Sequence, residues 1–193
     1  PLLEHGKLER HHLDRLEDAH KWAHHLPLVV ADQPDQTAGA IRAAIRRGAK
    51  DLKRRGFDLG VVVVDYLQLV NLQQARGQNK ADAVGAVSRA LKVMAKELNC
   101  CILCLSQLNR RCEERTNKRP LLSDLRDSGA IEQDADLVLF IYRDEVYTGD
   151  ACQTPGEAEL IIAKQRSGPL GTVRARWEGE YTRFSALDRR YAQ

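Results

Sequence analysis

The chain has 193 residues and is 43% hydrophobic by composition, enough for one domain with a real core and short for two. Charged residues make up 30%, yet the formal net charge is only +3, which excludes an overall polycationic surface and confines any nucleic-acid contact to a local patch. Five cysteines, an odd number, with no basic-then-apolar leader, point to a reducing cytoplasmic setting and away from a secreted disulfide scaffold.

All six histidines fall within the first 25 residues. His20 and His24 share a helix face, but without the glutamate of an H-E-x-x-H pair or a third ligand they read as a solvated helix. Residues 28–32 (Leu-Val-Val-Ala-Asp) read as a short strand and Gln-Pro-Asp-Gln as a turn. Thr37 caps a helix whose apolar positions Ala38, Ile41, Ala44, Ile45, Ala49 and Leu52 follow the 3.6-residue period, and Gly56 closes it. The run Gly-Val-Val-Val-Val-Asp at 60–65 lacks alternation, the mark of a strand covered on both faces in a parallel sheet.

Residues 72–80 form a polar loop rich in Gln and Asn. Ala83, Val87, Ala90, Leu91, Met94 and Leu98 then form the stripe of a helix ending near Asn99, and residues 100–105 complete a strand, helix, strand unit with parallel strands. Cys101 and Cys104 form a C-x-x-C inside that second strand. Three apart on a strand they face opposite ways, so they read as small core residues and not as metal ligands. Residues 110–120 are a charged loop and 136–142 a further apolar strand. Residues 158–164 and 172–177 flank Gln-Arg-Ser-Gly-Pro-Leu-Gly, a hairpin with cations at its tip. The longest apolar runs are far too short to span a bilayer, so a soluble chain is expected.

In open α/β sheets ligands bind beyond the carboxyl ends of the strands, where Asp65, Ser106 and Gln107 emerge. Four apolar residues followed by aspartate is the Walker B pattern, in which the carboxylate holds the Mg²⁺ of a nucleotide; many α/β strands also end in Asp for capping alone. Gln107 equally suits a strand-end cap, Arg126 a pair with Glu132 or Asp136 on a solvated helix, and Lys164 with Arg166 an ordinary polar hairpin tip.

Five blocks occur in order: Asp65-Tyr-Leu-Gln-Leu69, Ser106-Gln-Leu-Asn-Arg110, the segment 118–136, Phe140-Ile-Tyr-Arg-Asp-Glu145 and Ala163-Lys-Gln-Arg-Ser-Gly-Pro169. Together, over residues 61–184, they resemble the second half of the motor domain of the DnaB-family bacterial replicative DNA helicases. The resemblance implies an α/β, RecA-like three-layer sandwich with a mainly parallel sheet and a C-terminal antiparallel hairpin, incomplete at its N-terminal side, as one partial domain over residues 1–193. It implies ATP and Mg²⁺ as cofactors, with Asp65 similar to the Walker B aspartate and metal contact, and Gln107 to the glutamine that senses the γ-phosphate. Arg126, Asp127 and Gly129 lie in the segment that in the family grips single-stranded DNA. Lys164 and Arg166 match the pair that reaches the nucleotide of the neighbouring subunit, Arg166 being the arginine finger. The implied partners are single-stranded DNA, identical subunits in a hexameric ring, a helicase loader and primase, with no membrane.

Two departures stand out. The family commonly carries Glu where Asp127 stands, and no G-x-x-x-x-G-K-[ST] occurs in these residues: the only Gly-Lys, Gly6-Lys7, is followed by Leu8. The family's catalytic glutamate is not identifiable either. The chain alone is therefore expected to be inactive as an ATPase. The rival expectation is a non-catalytic helicase-like protein that assembles with or regulates an intact one; a RecA-like recombinase or clock-type ATPase is disfavoured by the first and last blocks.

Overall fold

The computed structural model describes residues 6, 8–34, 36–71, 80–125 and 129–187. Helix α1 (Arg10–His24) buries no residue, and its His20 and His24 rings meet edge to face at 4.7 Å, as their i, i+4 spacing dictates. Residues 28–32 depart from expectation. They form no strand among the described residues, and Leu28, Val29 and Val30 are exposed. A β-branched run biases the chain toward extended backbone, but a strand exists only where a neighbour takes its N–H and C=O groups.

Helix α2 (Ala38–Arg54) begins where expected: the Thr37 hydroxyl accepts from the Ala40 N–H at 3.1 Å. It ends through Gly56, whose φ of +87° a side-chain-bearing residue would resist. Its buried Ile45 and Leu52 lie seven residues apart on one face. Strand β1 (Val61–Val64), helix α3 (Lys80–Glu97) and strand β2 (Cys101–Cys104) make the crossover, and β1 pairs in parallel with β2 from Val61↔Cys101 to Val64↔Cys104. The α3 stripe supplies most of a first core, in which Val84, Val87, Leu91 and Met94 pack with Ile45, Leu67 and Val70. Asn99, at φ 47°, turns the chain out of α3 into β2.

The two-sided cover expected of 60–65 is present on one side only. Val62, Val64, Ile102 and Cys104 pack on the core, whereas Val61, Val63, Cys101 and Leu103 face away and are exposed. Cys101 and Cys104 do face opposite ways, but only Cys104 packs on the core, where burial pushes its thiol up to about 11.

Helix α4 (Gly129–Asp134) precedes strand β3 (Leu137–Tyr142); a short helix α5 (Glu145–Thr148) then leads to β4 (Glu157–Gln165), β5 (Gly171–Glu178) and β6 (Arg183–Ala186). These strands form an antiparallel sheet in the order β3-β4-β5-β6. The α/β class holds, with the parallel strand pairing among the described residues made by β1 and β2, beside an isolated parallel bridge from Thr37 to Asn71, and an antiparallel part that extends the expected hairpin to four strands. A second core of Leu125, Val138 and Phe140 lies under it. Ile131 of α4 packs against both cores.

Candidate functional site

The parallel register brings Val64 and Cys104 level, so Asp65 and the pair Ser106, Gln107 leave the sheet at one edge. The ladder runs on beyond the strands: the Leu105 N–H donates to the Val64 carbonyl and the Leu67 N–H to the Leu105 carbonyl, each at 2.9 Å. Gln68 then fastens the edge. Its Oε1 accepts from the Gln107 N–H at 3.1 Å, while its Nε2 donates to Ser106 Oγ at 3.0 Å and to the Gln107 carbonyl at 3.3 Å. With both main-chain groups of Gln107 held, its side-chain amide stands at an exposed position with no partner among the described residues.

Asp65 is exposed as well, joined to Tyr66 by a cis peptide bond, and its carboxylate has no partner among the described residues. A carboxylate with its lone pairs uncommitted is a hard oxygen donor of the kind Mg²⁺ takes, so the donor set fits that ion.

At the end of β4 the two expected cations part company. Lys164 is half-buried and its ammonium donates to the carbonyl oxygens of Glu132 and, at 3.4 Å, Gln133, the last turn of α4. Arg166 is exposed. Its Nη2 donates to the Gln133 carbonyl at 2.8 Å, its Nε faces Asp136 Oδ1 at 3.5 Å, and its backbone N–H donates to the Asp136 carbonyl at 2.9 Å. The other oxygen of Asp136 takes Lys92 from α3. That bond holds the Asp136 carboxyl below its ordinary range, with Arg166 and Lys164 adding to the effect.

Arg126 and Asp127 lie outside the described residues. Gly129 is the first residue of α4 and is exposed; a side chain there would meet nothing within 4 Å among the described residues. At the opposite end of β3 the fourth sequence block proves to be a fastening. Arg119 grips Glu159 at 2.8 and 2.6 Å and lies over the Tyr142 ring at 4.7 Å. Tyr142 donates to Asp144 at 2.7 Å; burial and that bond push its hydroxyl up to about 12. Sequence reasoning gave no role to Gln68 or Lys92 and offered Asp136 only as a partner for Arg126, because the pairs seen here lie 38 to 44 residues apart, or join the head of β3 to the end of β4.

The DnaB-like helicase C terminal domain model matches residues 2–186. The chain belongs to this family. It is 47% identical over 153 residues to the replicative DNA helicase DnaB of Haemophilus influenzae, covering 79% of this chain and 32% of that protein. To the replicative DNA helicase DnaB of Geobacillus stearothermophilus it is 44% identical over 164 residues, covering 85% and 35%. The chain thus spans about a third of the length of these curated relatives. Among solved structures it resembles an ATPase domain, with a TM-score of 0.72 at 39% identity over 80% of this chain and 52% of that one. A DnaB-like replicative helicase solved to describe its interactions with primase gives 0.73 at 38% identity, over 82% and 36%. Family members thus share the RecA-like ATPase fold seen here. No helix among the described residues is long and apolar enough to cross a membrane.

Proposed function

We propose that residues 1–193 form part of a single motor domain in a replicative helicase that couples ATP hydrolysis to movement along single-stranded DNA. The carboxyl edge of β1 and β2 carries this reading, because it presents one carboxylate and one amide without partners among the described residues, on a backbone that Gln68 fastens. Asp65 would hold the Mg²⁺ of the nucleotide, which neutralises charge on the phosphate oxygens. Gln107 would donate to the terminal phosphate. Arg166, exposed beyond β4, would serve the site of a neighbouring identical subunit in a hexameric ring, with Lys164 acting beside it from its seat on α4. Arg126, Asp127 and Gly129 would meet the DNA backbone. Primase is proposed as a partner on the strength of the solved relative described with it, and a helicase loader and a cytoplasmic setting follow from the family reading. The residues present here lack a phosphate-cradling loop, so they are proposed to be inactive as an ATPase when isolated.

The test belongs in the complete, P-loop-bearing protein. Arg166→Ala should retain nucleotide binding and ring assembly while turnover falls by about 10³-fold or more. Subunits lacking the P-loop lysine but keeping Arg166 should restore turnover to Arg166→Ala subunits in mixed rings, since one interface then joins an intact loop to an intact arginine. Near-normal turnover by Arg166→Ala alone, or proven mixed rings without rescue, removes the assignment.

A further inference from the structure

Arg166 is both exposed and held, the holding groups coming from α4 and the head of β3, with Lys92 of α3 behind them. Asp136 stands at the head of β3, its carboxylate between Lys92 of α3 and the Arg166 guanidinium. The Gln133 carbonyl, from the last turn of α4, takes a second donor of the same guanidinium at 2.8 Å, and the Asp136 carbonyl takes the Arg166 N–H at 2.9 Å. Main chain, Nε and Nη2 are thus each engaged from one side. Nη1 has no partner among the described residues. Arginine carries five N–H donors in a planar fork, so fixing one edge of the fork aims the other.

We propose that Asp136 is a positioning residue for Arg166, fixing the inner edge of the guanidinium so that its free edge is presented in one orientation to a phosphate oxygen of an adjoining site. Without it, the long side chain would have to be ordered at the moment of reaction, at a cost in rotamer entropy. Lys92 makes the arrangement possible: it anchors the carboxylate to α3, so that the anion does not follow the arginine as a mobile pair. Lys164, donating to the neighbouring carbonyl oxygens, keeps the last turn of α4 in place beneath both. Asp136 is itself exposed, so its value lies in geometry more than in the strength of a screened ion pair.

The inference rests on the proposed role of Arg166, and the experiment separates the two. In the complete protein with ATP and single-stranded DNA, Asp136→Asn should lower kcat by roughly ten- to a hundredfold, with KM for ATP, ring assembly and melting temperature near wild type. Asp136→Glu, which keeps the charge, should recover part of the loss. In an Arg166→Ala background Asp136→Asn should cost nothing further, because a residue that acts through the arginine has nothing left to position. An equal loss in that background overturns the proposal, as does an unchanged kcat, a raised kcat, or a fall in kcat that tracks a fall in melting temperature. Wild-type turnover by Arg166→Ala instead removes the parent reading, and this proposal with it.

Discussion

At the scale of single residues, Arg119 and Glu159 give the clearest link between charge and stability. The guanidinium clasps the carboxylate with two donors while covering the Tyr142 ring, which ties the charged segment before α4 to the antiparallel sheet. The bond from Arg119 holds the Glu159 carboxyl below its ordinary value of 4.5. A carboxyl whose folded pKa is depressed stabilises the fold above its unfolded pKa and loses that contribution as pH falls through the folded one. Melting temperature should therefore fall in wild type as pH drops below about 4.5. Glu159→Gln should melt lower than wild type at pH 7, and the difference should shrink as pH falls below about 4.5. Parallel melting curves for the two proteins across that range would show that the clasp contributes no pH-dependent stability. Tyr142 acts in the opposite direction: its hydroxyl, raised to about 12, contributes stability that is complete below about 10 and fades as pH climbs through 12.

Among the elements, α4 depends on the closeness of its approach to α3. A side-chain carbon at Gly85 would stand 2.8 Å from the Cβ of Ala130, a separation real carbons do not reach. In a helix interior alanine is favoured over glycine by about 1 kcal/mol, but here the clash with a rigid neighbour outweighs it. Gly85→Ala should thus lower the melting temperature, and adding Ala130→Gly should restore it; a stabilised single variant would show that α4 yields freely. The α3 stripe, the Thr37 cap, the parallel pairing of β1 with β2 and the β4–β5 hairpin were all legible, because each depends on local period or turn chemistry. Strand β6 was not read: the alternation of Arg-Phe-Ser-Ala runs for only four residues, and the strand exists by pairing with the outer edge of β5. Residues 28–32 erred the other way, with a strand-like composition and no strand beside them among the described residues. At the candidate site, the placement of Asp65 and Gln107 at one sheet edge and of Arg166 beyond β4 was legible from strand order and motif blocks. The residues that hold Gln107 and Arg166, Gln68 and Asp136, were not, because a hydrogen bond across 39 residues or an ion pair between elements leaves no mark in a local pattern.

On the scale of the molecule, alternate positions of three strands are apolar and exposed: Val61 and Val63 of β1, Leu103 of β2, and Leu137, Leu139 and Ile141 of β3. Exposed apolar rows on a sheet face attract other apolar surface. The 193-residue chain by itself should bind an environment-sensitive apolar dye and self-associate at micromolar concentration. Replacing Val61 and Val63 with threonine, which keeps the β-branched shape, should reduce dye fluorescence and shift sedimentation toward monomer. A monomeric, dye-silent chain would contradict this.

Ile131 gives α4 a further consequence. Because this one side chain packs in both cores, a shift of the six-residue helix cannot be absorbed by one sheet alone. Its first residue, Gly129, belongs to the segment proposed to meet DNA, and its last carbonyls carry Lys164 and Arg166. On the proposed function the helix would be a common element of two binding equilibria, and such equilibria are thermodynamically reciprocal. Whatever factor DNA contributes to nucleotide affinity at the adjoining site, nucleotide must return to DNA, and loosening α4 would diminish both factors together.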